Sequence, residues 1–343
     1  MFVFPREKGC WRRVLASVFS LLITSVGLNA ELYAAVGYGV QVIGVGKGSI
    51  NAVAYASDGT LVLGHSNSQD LTVIAPDGIQ STLSVTGATL ASLDGGWIDP
   101  ITGDFLLVDN KSFGDDAGDL YSINLDTGAA TTLLTGLDTI ADVAVRATGH
   151  IFVSDAAGNG DGGVFEVARD GGGITATVVS GLEFVAGLDF DSNGDLIVVQ
   201  SNATFVSEFY RVPINDGGEL TFEAPVFIAS GDFGSFDVVV DLENDVWTTG
   251  GQGLWLLDAS DGFAATLIES KGTMFEFAGE MDFLPGHGPF EAFGAREGSH
   301  LTYVPDFGDE NLHDLIVPEP ATLGLVVVIA FPLTCRRRFW GRL

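Results

Sequence analysis

Six times between Ile50 and Gly294 the chain runs through one pattern: an alternating apolar stretch, a tight polar turn, and a second apolar stretch. The copies are INAVAYASDGTLVLGHS from Ile50, DGGWIDPITGDFLLVDN from Asp94, IADVAVRATGHIFVSDA from Ile140, VAGLDFDSNGDLIVVQS from Val185, SFDVVVDLENDVWTTGG from Ser235 and AGEMDFLPGHGPFEAFG from Ala278. Aligned on Gly59, Gly103, Gly149, Gly194, Asp245 and Gly288, the turns recur every 44, 46, 45, 51 and 43 residues. A repeat of this length with period-2 alternation and no 3.6-residue pattern holds several short strands and no amphipathic helix.

After each hairpin comes a second pair of apolar runs, as in DLYSINLDTGAATTLLTG, GVFEVARDGGGITATVVSG and GLWLLDASDGFAATLIESKG. Their Asp-Thr-Gly, Asp-Gly-Gly and Asp-Gly turns supply the backbone conformations that tight hairpins need. Four antiparallel strands, six times over, predict an all-β fold: a six-bladed β-propeller of four-stranded blades over residues 36–306. The sixth repeat ends after SHLTYVPDF one strand short, and the N-terminal stretch GYGVQVIGVGKG offers the missing outermost strand, closing the ring without an open edge. The sixth repeat is the least regular, so a seventh blade or an open arc is the alternative. The acidic stretch 307–317 reads as a linker.

Charge excludes some partners. The chain carries a formal −30, and residues 36–316 hold 7 Lys and Arg against 42 Asp and Glu. Such a body repels nucleic acid and anionic lipid. The two cysteines, Cys10 and Cys335, fall in the terminal segments, so the middle has no disulfide, thiolate nucleophile or cysteine-ligated metal.

Residues 1–35 have the three parts of a secretory signal: a basic start, an apolar run from Val14 to Leu28, and small residues at Ala30, Ala34 and Ala35, any of which fits a cleavage site for signal peptidase. At the other end, residues 318–343 hold Pro318-Glu319-Pro320, an apolar segment from Ala321 to Cys335, and Arg336, Arg337 and Arg338. The apolar segment can enter a bilayer as a helix, with the arginines kept on the cytoplasmic side. This terminus resembles the PEP-CTERM sorting signal in the order of all three features. The resemblance implies a Gram-negative type envelope, an inner-membrane-tethered precursor, an exosortase that recognises the Pro-Glu-Pro triplet, and a destination at the cell surface or in an exopolysaccharide matrix.

The body resembles the propellers of the NHL and gluconolactonase-like superfamily in its glycine- and aspartate-rich hairpins, although fold alone does not give function. No GxSxG elbow, P-loop or dinucleotide fingerprint appears in the right context and no HExxH spacing is present, so no catalytic residue is assigned. Two groups are candidate metal ligands. Asp189, Asp191 and Asn193 fit the first half of a calcium loop, but the twelfth position is Gln200 instead of a bidentate Glu, and the same residues also read as a hairpin turn. Aligned on the turns, Asn51, Asp94, Asp142, Asp237 and Glu280 start the innermost strands, where they would ring one mouth of the channel. They would hold a hard divalent cation there, Ca2+ being the cofactor considered, or else cap backbone N–H groups of neighbouring blades. The sequence therefore predicts an exported surface or matrix protein whose propeller binds a polysaccharide or a surface protein. The second reading is a metal-dependent lactonase, and the third a scaffold for a basic partner.

Overall fold

The computed structural model describes residues 39–45, 49–111, 117–157, 162–217, 220–251, 253–270, 281–284, 299–303 and 311–317. The expected signal segment (1–35), the expected sorting signal (318–343), Glu280 and Gly288 lie outside them. Among the described residues every regular element is a strand except one turn of 3-10 helix, Ala259–Asp261, and no helix is long and apolar enough to cross a membrane.

Among the described residues the first element is β1 (Gly39–Gly44). Five four-stranded antiparallel blades then follow one another. They are β2 (Ile50–Tyr55), β3 (Leu61–His65), β4 (Asp70–Ile74) and β5 (Gln80–Ser84); β6 (Leu93–Ile98), β7 (Phe105–Asp109), β8 (Gly118–Ile123) and β9 (Ala130–Leu137); and β10 (Ile140–Val145), β11 (Ile151–Asp155), β12 (Gly162–Val167) and β13 (Ile174–Leu182). The fourth blade has β14 (Val185–Phe190), β15 (Leu196–Ser201) and β16 (Ser207–Val212), then a small hairpin of β17 (Ile214–Asn215) and β18 (Thr221–Phe222), and last β19 (Val226–Gly231). The fifth has β20 (Ser235–Val240), β21 (Val246–Gly250), β22 (Gly253–Asp258) and β23 (Ala264–Ser270). The remaining strands are β24 (Met281–Leu284), β25 (Ser299–Tyr303) and β26 (Asn311–Val317), which join the first strand in a composite sheet of order β1-β26-β25-β24.

Hydrophobic clusters lie between sheets. Ala52, Val62 and Leu71 of the first blade meet Phe105, Leu107 and Tyr121 of the second, and Phe152 and Val164 of the third meet Leu188 and Val198 of the fourth. The second, third and fourth blades thus bury both faces against their neighbours, the packing of a β-propeller. The strands need no charged pairs for this: the buried positions of β3, β7, β11 and β21 form unbroken runs.

Four expectations change. Five blades stand in sequence order where six regular repeats were expected, and the sixth sheet is assembled from both ends of the described chain. Residues 311–317 are a strand within that sheet instead of a linker, paired with β25 on one side and β1 on the other. Acidic side chains do not prevent this, because ladder bonds are made by the backbone. The predicted second strand at Glu291 lies outside the described residues; the second position is taken by β25, so every later strand moves up one place and β1 occupies the outermost edge, as anticipated. The fifth hairpin is also off by one: the left-handed residue is Asn244, φ 65°, in the place Gly194 takes at φ 77°, and not Asp245. Asn tolerates that region because its amide bonds locally.

Candidate functional site

The innermost strands β2, β6, β10, β14 and β20 share a feature absent from the repeat pattern. Each carries one extra residue relative to its partner near its start, between Ile50 and Ala52, Leu93 and Gly96, Ile140 and Val143, Val185 and Gly187, and Ser235 and Asp237. Such bulges re-aim the side chains that follow them. They bring Asp142 and Asp237, with Asp282, to the wall of a narrow central channel that is also lined by Gly96, Trp97, Leu188, Val238 and Val239.

These carboxylates are used as joints. Asp142 is buried, and its Oδ1 accepts the N–H of Val143 at 2.7 Å while Oδ2 accepts the N–H of Leu188 in the next blade at 2.7 Å. Asp189 repeats this one blade on, with Phe190 N–H at 2.6 Å and Val240 N–H at 2.5 Å. Asp282 accepts Tyr55 N–H at 2.6 Å, linking the composite sheet to the first blade. Asp237 Oδ1 takes Val238 N–H at 2.6 Å. The close approach these links need is made by glycine: a Cβ on Gly95 would stand 2.2 Å from Asp142 Oδ1, and one on Gly187 would stand 2.7 Å from Val238 N.

The acids stand at successive depths instead of in one ring, because the blades supply them from different strand positions. Asn51 and Asp94 are at the strand starts, where Asn51 accepts from Ser49 Oγ at 2.7 Å and Asp94 from Asn110 Nδ2 at 2.6 Å. Asp142 and Asp237 come one residue further along their strands, next to the bulges. Asp189 and Asp282 are deeper, each reaching the N–H of the last residue of an inner strand. Burial raises the pKa of Asp94 to about 8, with the Asn110 bond opposing and the charges of Asp109 and Asp237 adding. Burial, and then Asp237, push Asp142 well above the carboxylate range against its two backbone bonds. Asp189 is raised well above that range by burial, with smaller contributions from Asp282 and Asp237.

The calcium-loop residues do not converge. Asp189 points into the next blade, whereas Asp191 and Asn193 sit in the β14–β15 turn, where Asp191 Oδ1 accepts Asn193 N–H at 2.9 Å and Asp195 N–H at 3.0 Å. The other Asp191 oxygen pairs with Arg211 at 2.9 Å. Among the described residues no group of three or more His, Cys, Asp or Glu is arranged to hold a metal ion. The carboxylates that end β7 and β11 are likewise engaged: Asp109 accepts Ala91 and Ser92 N–H, and Asp155 accepts Thr139 and Ala157 N–H.

A feature missed in the sequence lies on the face that carries the loops into the inner strands. Phe184, Phe205 and Phe236 are exposed there, and the first two have positive φ, 41° and 63°. Backbone bonds tie their loops together: Phe184 O accepts Ser201 N–H at 3.1 Å and Phe205 O accepts Gly234 N–H at 2.9 Å. Bulky residues rarely adopt positive φ, so the backbone here is held by its surroundings. Single phenylalanines in different repeats gave no signal, since their grouping depends on adjacent loops.

No family model matches the sequence, and no curated protein does. Solved structures define the class. The chain is similar to a gluconolactonase from Xanthomonas campestris, at 18% identity over 83% of this chain and 92% of that one, with a TM-score of 0.63. It is also similar to a PQQ-bound aldose sugar dehydrogenase from Streptomyces coelicolor, at 15% identity over 82% and 98%, TM-score 0.59. A third is virginiamycin B lyase from Staphylococcus aureus, at 12% identity over 82% and 100%, TM-score 0.52. At these identities the likeness establishes the propeller fold, and the three unlike activities show how little that fold says about chemistry.

Proposed function

We propose that this is an exported, PEP-CTERM-sorted surface or matrix protein whose propeller binds and does not catalyse. The composite sheet is its sixth blade, joined through β1 into a closed ring. The observation that carries the reading is the use of the inner-strand acids: Asp142, Asp189 and Asp282 each give one carboxylate oxygen to a backbone N–H of a neighbouring sheet, so they join the blades. Among described residues, the cations Arg146, Arg169 and Arg211 are also committed, to Asp216, Asp99 and Asp191. Exposed aromatic surface lies on the loop face with Phe184, Phe205 and Phe236. A phenyl face packs against the C–H face of a pyranose, and the strongly negative body repels anionic polymers, so the ligand is a neutral polysaccharide.

The reading is supported by the tail motif and by the acids' partners, and it is tested by binding. Residues 36–317 should be retarded in gels containing the host's neutral exopolysaccharide, and the Phe184→Ala and Phe205→Ala variants should lose that retardation while keeping their melting temperature. Turnover of a lactone or sugar ester by the same protein, abolished by Asp237→Asn without loss of folding, would overturn it in favour of the lactonase reading. A calcium site would show separately: at 100 times its dissociation constant the ion adds about 2.7 kcal/mol of stability, and the account predicts no such rise over chelator.

A further inference from the structure

The two ends of the propeller leave from one place. In the composite sheet Gly39 of β1 pairs with Ile316, Val317 of β26 pairs with Ser299, and Leu284 of β24 pairs with His300. The start of β1, the end of β26 and the β24–β25 connection therefore share one end of this sheet. Asp282 meets the N–H of the last residue of β2 as Asp189 meets that of β20, so β24 runs with the other inner strands. The shared end consequently belongs to the face bearing the inner hairpins, with Gly59, Gly103, Gly149, Gly194 and Asn244, and not to the loop face.

Residues Pro318 to Pro320 are all that separate Val317 from the apolar segment beginning at Ala321. Three residues reach no more than about 10 Å. The opposite ends of the five- and six-residue strands are a further ~17–20 Å away. The same face also carries the three most exposed large apolar side chains among the described residues, Ile79 (66%), Ile101 (60%) and Leu242 (68%), all in its turns. Scattered apolar tips of this kind suit the interfacial layer of a bilayer.

We propose that in the membrane-inserted precursor the hairpin-turn face of the propeller lies against the bilayer, and the loop face with Phe184, Phe205 and Phe236 points away from it. This rests on the reading of residues 321–335 as a membrane segment. An uncleaved N-terminal apolar run would pin the same face, because Gly39 lies beside Ile316. Exposed acids on this face, such as Asp58, Asp126, Asp170 and Glu243, oppose close approach to anionic lipid, so the tether and the apolar tips set the orientation.

The test uses the full chain with Cys10→Ser and Cys335→Ser and one added cysteine: Ser57→Cys or Glu243→Cys on the hairpin-turn face, Thr89→Cys or Ala203→Cys on the loop face. All four positions are exposed. Each is labelled with a fluorophore and reconstituted into phosphatidylcholine vesicles containing a headgroup nitroxide lipid. Quenching several-fold stronger at positions 57 and 243 than at 89 and 203 is expected. Equal or reversed quenching on chains that float with the vesicles would overturn the orientation. Failure of the full chain to float would instead overturn the reading of the tail, and the proposal with it.

Discussion

Asp189 shows what a buried carboxylate does here. It is buried, and its two oxygens accept N–H groups from Phe190 and, across the blade junction, Val240. Asp189→Ala leaves Val240 N–H without that acceptor in a part-buried junction and should lower unfolding free energy by about 1–3 kcal/mol in urea titration, whereas exposed Asp77→Ala should change it little. Asp94 gives a pH signature. Its folded pKa of about 8 lies above the unfolded value near 4. The folded state therefore holds the extra proton between these values, and its stabilisation is complete below about pH 4 and lost as pH rises to 8. Asp94→Asn should flatten the decline in melting temperature between pH 5 and 8 and raise it at pH 8; an unchanged slope would show that Asp94 is ionised throughout. The sequence displayed Asp94 and Asp142 at the strand starts, where capping of neighbouring blades was one of the two roles it allowed, and it read Asp189 as part of a calcium loop or a hairpin turn. Their depths were not legible, because they depend on bulges of one residue that leave no mark in the alternation.

Strands and turns were the most readable level. Alternation placed β2, β3, β6, β7, β10, β11, β14, β15, β20 and β21, and the Asp-Gly turns between third and fourth strands, because both signals are local. The last sheet was misread where it depends on distant pairing: NLHDLIV looks like a linker among acids, yet it is sandwiched between β25 and β1. A direct consequence follows for boundaries. A chain ending at Asp306 lacks β26 and leaves β1 without its partner, so it should be insoluble or melt with low cooperativity, while one ending at Val317 should melt in a single sharp transition. Comparable melts by circular dichroism would show that β26 contributes nothing to closure. Asn244 was missed for a different reason: it takes a glycine's place and its Oδ1 also accepts Ser192 N–H from the preceding blade, which no single hairpin reveals.

For the molecule as a whole, the scarcity of cations has a structural use. Arg146 donates to Gly194 O and Asp216 in the fourth blade, and Arg169 donates to Gly149 O and pairs with Asp99 in the second, so two of few positive charges fasten three blades together. The excess of acid is then left to surface and channel, and the tail's arginines stand apart from it at the far end of the sequence. Composition and terminal motifs spoke about destination, while the repeat spoke about architecture; neither carries a ligand, since the exposure of the loop-face phenylalanines leaves no mark in the alternation. The claim that joins these parts is that the chain is exported, held by its tail and then cut at the triplet. The intact mass of the protein recovered from its native host tests this most directly. The account predicts a product that starts between Glu31 and Val36 and ends close to Pro320; a product that retains Leu343 would contradict it.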